Sequence, residues 1–505
     1  MTFTILMLAG CELTTNIDDQ EAWVDLDTGL YDDLDPDEGI AWDDPNHRPE
    51  VDRWAPDGVP ITIPLGTSNA YNIADGEWKG EGDSAKLGIS VRNAGDVNND
   101  GLNDLIMGSL NAPSTTDGAA YMNRAKFHTG SKRADASKGR WYGASGEKAG
   151  EQVNGGGDMD ADGEDDWIIG ARAWDDPVDT WKVNSGAAYI VFDFHRGNNT
   201  LPASEYRIDG DAANQFFGAG MDILGDINGD GYDDIGVGAT GADTNGTDSG
   251  AVYVWNGPVT MSTDASTADA TIGGESAGDG VGTRIFGLGD VDGDGVDDFG
   301  VSNRDEDTNG TDAGAVYIIT AATMPTDLGD ADSIYRGNTA SFEAGNSLKQ
   351  AGDLDGDGKA DFLAGALGHG GTLGGAYVVL GGTADGKLGA VATAKMYGQL
   401  AGDQFGSDVA AGDINDDDVA DVLVASNRQG STDRGAVYGF YGPLAGTVAA
   451  YSADVKIVGV AAGDKFGSSL DYVPNTTVDG KSTVAVGASS RSSNNKGAVY
   501  LFEVD

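Results

Sequence analysis

Cysteine is almost missing from this 505-residue chain, with Cys11 as its single copy. No intrachain disulfide is possible, so stability has to come from a hydrophobic core or from bound metal. Positive charge is scarce too: 30 Lys and Arg face 83 Asp and Glu, a formal charge of −53. A nucleic-acid backbone has to be met by clustered Lys and Arg, and anionic lipid by a basic patch, so this balance argues against both partners. Histidine is confined to His47, His128, His195 and His369. No stretch approaches the ~20 consecutive apolar residues of a membrane-spanning helix. What the chain has in quantity is Gly, 80 copies, and Asp; hydrophobic residues, at 39%, suffice for a sizeable core. Cation binding, or life in saline surroundings, fits this composition.

The one cysteine follows Met1-Thr-Phe-Thr-Ile-Leu-Met and then Leu8-Ala9-Gly10. This segment resembles the end of a bacterial lipoprotein signal peptide, with Leu8-Ala9-Gly10-Cys11 as its lipobox. The resemblance implies cleavage before Cys11 and acylation of its thiol, giving an exported protein held to a membrane by lipid alone. The basic stretch that usually opens such a signal is absent, and an ordinary N-terminus with a chance cysteine is the alternative. Residues 12–60 hold 16 Asp or Glu against two Arg, without apolar periodicity. Their charges repel and they have little apolar surface to bury, so they read as an extended, disordered acidic tether. Trp23, Trp42 and Trp54 are its only large aromatics apart from Tyr31.

From residue 61 to 505 one pattern recurs seven times. Gly-Ala-x-Tyr or a close variant starts at Gly118, Gly186, Gly250, Gly314, Gly374, Gly435 and Gly497, at steps of 60 to 68 residues. An acidic segment precedes each copy, beginning at Asp96, Asp158, Asp226, Asp290, Asp353, Asp413 and Asn475. Ahead of that stands Phe-Gly or an equivalent: Leu87-Gly88, Phe217-Gly218, Val281-Gly282, Ala344-Gly345, Phe405-Gly406 and Phe466-Gly467. Repeat 2 shows no clear copy; Gln152-Val153 is the nearest, in a repeat that looks shortened. Short apolar runs such as Leu105-Ile106-Met107-Gly108, bounded by Gly, Asn and Asp, read as strands with tight turns. With a fourth short strand such as Tyr206–Asp209, each unit has four strands in ~60 residues, which predicts an all-β, seven-bladed β-propeller. The last unit stops at its third strand, and a strand-like segment near residues 71–79 is left to supply the fourth and close the ring.

The acidic segments carry the chemistry. In Asp290-Val-Asp292-Gly-Asp294-Gly295-Val296-Asp297-Asp298, side-chain oxygens at positions 1, 3, 5 and 9 and the carbonyl at 7 can wrap a hard cation. Glycine at position 6 allows the chain to turn back. The same sets are Asp96, Asn98, Asp100, Leu102 and Asp104; Asp158, Asp160, Asp162, Glu164 and Asp166; and Asp226, Asn228, Asp230, Tyr232 and Asp234. Repeat 5 supplies Asp353, Asp355, Asp357, Lys359 and Asp361, and repeat 6 Asp413, Asn415, Asp417, Val419 and Asp421. Carboxylate and amide oxygens without Cys or His point to Ca²⁺, ahead of Mg²⁺, at about six sites. Loop 6 has Asp418 in place of the turn glycine, which weakens the expectation there. Loop 7, Asn475 to Thr483, retains one carboxylate, Asp479, and is expected to bind nothing.

Phe-Gly, then Asp-x-Asp/Asn-x-Asp-Gly-x-x-Asp, then Gly-Ala-x-Tyr, resembles the FG-GAP repeats of the integrin α-subunit β-propeller. The resemblance implies Ca²⁺ in the loops between the first two strands of each blade and a protein- or matrix-binding surface at the opposite end. It suggests cell adhesion by analogy alone.

No Ser/His/Asp or Cys/His set is evident, and nearly all conspicuous carboxylates belong to the repeat, whereas an active site is usually unique in a sequence. A binding module for an extracellular or envelope protein or glycan is therefore expected, not an enzyme. A hydrolase of envelope or extracellular polymers and an acidic structural coat lipoprotein are the alternatives. The ligand candidate is the long second-to-third-strand loop of repeat 2, where Trp174 and Trp181 flank Asp175, Asp176 and Pro177. An exposed aromatic platform and a pair packed back on the blade are the two readings of it.

Overall fold

The second and third strands of every repeat are continuous apolar runs, and the structure shows why they do not alternate. In Asp104–Ser109 and Ala119–Asn123 every residue is buried, because each blade is covered on both faces by its neighbours. A computed structural model describes residues 66–504 apart from 113–116, 126–129, 193, 202–205, 260, 321–323 and 493. Cys11, the proposed signal peptide and the acidic tether lie outside the described residues.

Seven sheets, antiparallel through their first four strands, follow one another along the chain, with inner strands at Leu87–Gly95, Val153–Gly157, Phe217–Gly225, Arg284–Gly289, Ala344–Gly352, Phe405–Gly412 and Phe466–Val473. Seven apolar clusters sit between consecutive blades, including one that joins blade 7 to blade 1 through Leu87, Val91, Val499 and Leu501. The ring is closed, and the fold is the expected seven-bladed β-propeller. Gly76–Lys79 pairs antiparallel with Ala498 to Leu501 and completes blade 7, as the orphan segment near 71–79 suggested. The start of that segment lies in a helical turn, Ala70–Ile73.

The recurring motifs turn out to be two halves of one contact. The glycine that opens each Gly-Ala-x-Tyr bridges, in parallel, to the first residue of the next blade's Phe-Gly, as in Gly186 to Phe217 and Gly435 to Phe466. The motif glycine beyond it has positive φ, and in six of the seven blades a Cβ there would come within 3.0 Å of backbone. At Gly218 (φ 82°) it would stand 2.4 Å from the Ala187 carbonyl oxygen. This contact corrects the reading of repeat 2. Its counterpart is Ala149-Gly150, not Gln152-Val153: Gly118 bridges to Ala149, and a Cβ on Gly150 (φ 79°) would stand 2.2 Å from the Ala119 carbonyl oxygen. The repeat is not shortened. Phe is replaced by Ala in a cluster where Trp141 and Trp167, in edge contact with centroids 5.3 Å apart, supply the ring volume.

The structure also adds an outer strand that the pattern does not reveal. In the connection before its fourth strand, a blade sends a short polar segment back to pair in parallel with the outer strand of the preceding blade. Gly197–Thr200 pairs with Gly139–Tyr142, and Gly446–Ala449 with Ala394–Tyr397. The N-terminal segment performs this role too, with Gly66–Asn69 on Val455–Val458 of blade 6. Among the described residues six sheets have five strands and blade 3 has four.

Candidate functional site

The inner strands of blades 1 to 6 each end in an acidic loop that leads into the second strand, and blade 4 shows its geometry most completely. Asp290 folds its carboxylate over the loop: Oδ1 accepts the N–H groups of Gly293 and Asp294 at 2.6 and 3.0 Å, and Oδ2 that of Gly295 at 2.8 Å. Asp292 and Asp294 each accept an N–H two residues on, at 3.0 and 2.9 Å. Asp298, fully buried, accepts from Val291 at 2.8 Å. One oxygen each of Asp290, Asp292 and Asp294 lies within 4.8 Å of the others, and so it is for Asp353, Asp355 and Asp357 and for Asp158, Asp160 and Asp166.

The turn needs two left-handed residues, at positions 4 and 6, where sequence reasoning anticipated one. They are Gly293 and Gly295 in blade 4, at φ 86° and 90°, and Asp416 and Asp418 in blade 6, at 60° and 62°. Asp tolerates this region better than most side chains, so loop 6 keeps the common backbone.

The carboxylate at position 9 is buried in all six acidic loops by the start of the second strand and held by backbone donors. Asp234, for example, accepts from Ile227 at 3.0 Å and Gly257 at 2.7 Å. Burial outweighs those bonds and raises the carboxyl pKa to about 7 for Asp104 and Asp234, about 9 for Asp166 and about 6 for Asp421. Oδ1 of Asp166 is buried without a hydrogen-bond partner, as is Oδ1 of Asn415 in loop 6. A buried orphan oxygen beside other carboxylates costs free energy that a hard cation offsets. By this criterion the donor set fits Ca²⁺.

Neighbouring loops are chained together. The carboxylate at position 8 of one blade accepts the N–H of position 1 in the blade before: Asp165 from Asp96 at 2.6 Å, Asp233 from Asp158 at 2.8 Å, Asp297 from Asp226 at 3.2 Å. Loop 7 is a neutral counterpart. Thr483 replaces the buried Asp and its Oγ1 meets that of Thr476 at 2.9 Å, while Asn475 Nδ2 donates to the Gly101 carbonyl at 2.8 Å. Loop 1 differs in another way, because Arg124 reaches into it. The guanidinium donates to Asn98 Oδ1 and lies 3.3 Å from Asp100.

Strand alternation puts the second-to-third-strand loops at the opposite end of the ring, where the structure separates the two tryptophans. Trp174 is 3% exposed, packed in the core between blades 1 and 2 with the Arg207 guanidinium 4.3 Å from its ring centre. Trp181 is 62% exposed, beside exposed Val178 and Val183. Asp175 and Asp176 are occupied as turn acceptors, Asp175 from Asn184 at 2.7 Å and Asp176 from Val178 at 2.8 Å. Trp174→Ala is accordingly expected to cost about 3–5 kcal/mol in thermal or denaturant melts. Trp181→Ala is expected to leave the melt unchanged, and a matching loss from both would contradict this division.

Sequence reasoning missed a cluster of charges on the axis. Four residues after the motif glycines stand Arg92, Asn154, Asp222, Phe286, Lys349, Ala410 and Asp471. Lys349 of blade 5 meets Asp471 of blade 7 at 2.8 Å, and Arg92 of blade 1 and Lys349 both lie over the ring of Phe286 in blade 4. Blades that are not neighbours touch only across the axis, so this register position lines it. Asp471 and Asp222 also accept inner-strand N–H groups of the next blade, from Asn93 at 2.7 Å and Gly287 at 2.9 Å. These charges tie inner strands together. The spacing from the motif glycine was the available signal.

Seven blades, interlocked through Phe-Gly and Gly-Ala-x-Tyr and carrying acidic loops after their inner strands, define an FG-GAP-type propeller. The FG-GAP repeat family model matches residues 217–255, the first three strands and acidic loop of blade 3. Integrin alpha-PS2 of Drosophila melanogaster is 37% identical over 101 residues, and Integrin alpha-PS5 of the same organism 35% over 112. These stretches are 20% and 21% of this chain but 7% and 10% of those proteins, so the chain matches a tenth of its curated relatives or less. Among solved structures, the Dos1 propeller covers 88% of this chain and 92% of its own at 9% identity, with a TM-score of 0.38. The seven sheets themselves, not that loose likeness, define the fold. The chain is thus a seven-bladed propeller that resembles the FG-GAP repeat family in blade 3 and integrin α-subunits over about a fifth of its length.

Proposed function

We propose that this chain is a calcium-stabilised binding module of the cell surface, exported and lipid-anchored at Cys11, that captures an extracellular or envelope protein or glycan. The reading rests on the acidic loops: carboxylates in register at one end of the ring, with an unpartnered buried oxygen on Asp166, are suited to structural Ca²⁺. When bound, the ion neutralises the clustered carboxylates and ties the inner strand to the second. The chain's own residues set its seat: the position-1 carboxylate orders the loop backbone, and the position-9 carboxylate anchors it to the blade. The integrin-α likeness supports protein binding, and the exposed Trp181, Val178 and Val183 offer an apolar contact at the far end of the ring.

The role is one of binding rather than catalysis. His369 fits that reading: it stacks on Tyr397 at 4.1 Å and shares a 2.8 Å hydrogen bond with Tyr377, a packing arrangement. A pull-down from cell-envelope and matrix extracts, run with Ca²⁺ and with chelator, tests the proposal. Specific retention that is lost in chelator and reduced in Trp181→Ala supports it. No retention under either condition would favour a structural coat protein, and calcium-dependent turnover of a glycan or ester substrate would favour a hydrolase.

A further inference from the structure

Loop 1 has the full acidic pattern, Asp96, Asn98, Asp100 and Asp104, yet its surroundings differ from those of every other loop. The difference lies in the residue directly after the third strand. That strand ends at Asn123, Val191, Trp255, Ile319, Val379 and Phe440 in blades 1 to 6. The next residues are Arg124, Phe192, Asn256, Thr320, Leu380 and Tyr441. Only blade 1 places a cation there. The position is close to the loop by construction, because the residue following it donates its N–H to the buried position-9 carboxylate. Gly257 donates to Asp234, Gly381 to Asp361 and Gly442 to Asp421, each at 2.7 Å, and Ala125 donates to Asp104 in the same way.

Arg124 uses that placement. One terminal nitrogen donates to Asn98 Oδ1 and lies 3.3 Å from Asp100 Oδ2, so it engages two of the four side chains that would ligate a metal in loop 1. Asn98 in turn donates through Nδ2 to Asp104 at 2.7 Å. The Arg124 guanidinium carbon lies 5.6 Å from the ring centre of Phe194, a cation–π contact that helps to hold the group in place. A guanidinium is permanently charged and planar and suits oxygen acceptors that a metal would otherwise share.

We infer that Arg124 is the built-in cation of loop 1 and excludes Ca²⁺ from it, leaving loops 2 to 6 as the calcium sites. The inference rests on the calcium reading above and refines it from six sites to five. It also assigns Asp96, Asn98, Asp100 and Asp104 a different role: they hold blade 1 through an internal ion pair whose strength does not depend on calcium supply.

The test is the calcium stoichiometry of the full chain, measured by equilibrium dialysis after chelator treatment and reloading with CaCl₂, with native mass spectrometry as a second count. Wild type is expected to bind five ions and Arg124→Gln six. Asp100→Ala leaves the wild-type count at five, whereas Asp294→Ala lowers it to four, so the inference stays testable if Arg124→Gln fails to fold. Six ions on wild type, or a loss of one ion in Asp100→Ala, would overturn the assignment of Arg124 while leaving the calcium reading intact. Five ions on both wild type and a folded Arg124→Gln would overturn it as well. No bound calcium on wild type would instead defeat the calcium reading itself.

Discussion

Stripping calcium from this protein is expected to lower its melting temperature by about 10 °C or more, and to reverse the way stability responds to pH. A site that binds only the folded chain adds RT ln(1 + [L]/Kd), about 2.7 kcal/mol at a hundredfold excess over Kd. Several such sites together rival the ~5–15 kcal/mol net stability of an ordinary domain. The pH response follows from the buried position-9 carboxyls, whose pKa values burial raises to about 7 for Asp104 and Asp234, 9 for Asp166 and 6 for Asp421. In the unfolded chain the same groups ionise near the usual value of about 4. Between about pH 4 and those raised values, the metal-free fold holds more protons than the unfolded chain, so its stability falls as pH rises. With Ca²⁺ bound the sign is opposite for loops 2 to 6, because protons compete with the ion for the same oxygens. Melts in EDTA are therefore expected to improve from pH 8 to pH 6, and melts in millimolar Ca²⁺ to worsen. Asp294→Ala is expected to cost far more in Ca²⁺ than Asp479→Ala, since loop 7 is already closed by Thr476 and Thr483. Parallel pH trends with and without calcium would contradict this account.

The second large effect is expected at the ring closure. Gly76–Lys79 lies between Ala498–Val504 on one side and Gly130–Arg133 on the other, and Gly66–Asn69 pairs on blade 6. Trp78, 5% exposed, packs with Leu87, Val499 and Leu501 in the core that joins blade 7 to blade 1. Trp78→Ala is expected to cost about 3–5 kcal/mol. Deletion of residues 66–79 removes both closing strands, bares the edges of blades 6 and 7, and is expected to give a protease-sensitive, aggregating chain. A deletion variant that melts cooperatively at the wild-type temperature would show that the closure contributes little.

Much of this architecture is legible in the residues because the repeat forces the same solution seven times. Phe-Gly and Gly-Ala-x-Tyr recur since each glycine faces backbone across a blade interface, where a Cβ has no room. The acidic loops are legible because their geometry is local: the carboxylates, the turn and the buried anchor all fall within nine residues. What escapes is what depends on partners distant in sequence. Ala149-Gly150 is hidden because ring volume comes from Trp141 and Trp167 instead of a local Phe. The back-reaching strands, such as Gly197–Thr200, pair through backbone and are polar, so no hydrophobic pattern marks them. Arg124 lies 20 residues beyond Asp104, past two strands, and only the blade's folding brings it into loop 1. Trp174 and Trp181 look alike in sequence, and their separation into core and surface is decided by the neighbouring blade.

The most direct test of the central claim, that the acidic loops are calcium sites, is long-wavelength anomalous diffraction from crystals of the full chain grown in CaCl₂. The expected result is an anomalous peak in each of loops 2 to 6, about 2.3–2.6 Å from carboxylate oxygens such as those of Asp290, Asp292, Asp294 and Asp298. Density in those loops showing only water, with their carboxylates turned outward, would contradict it.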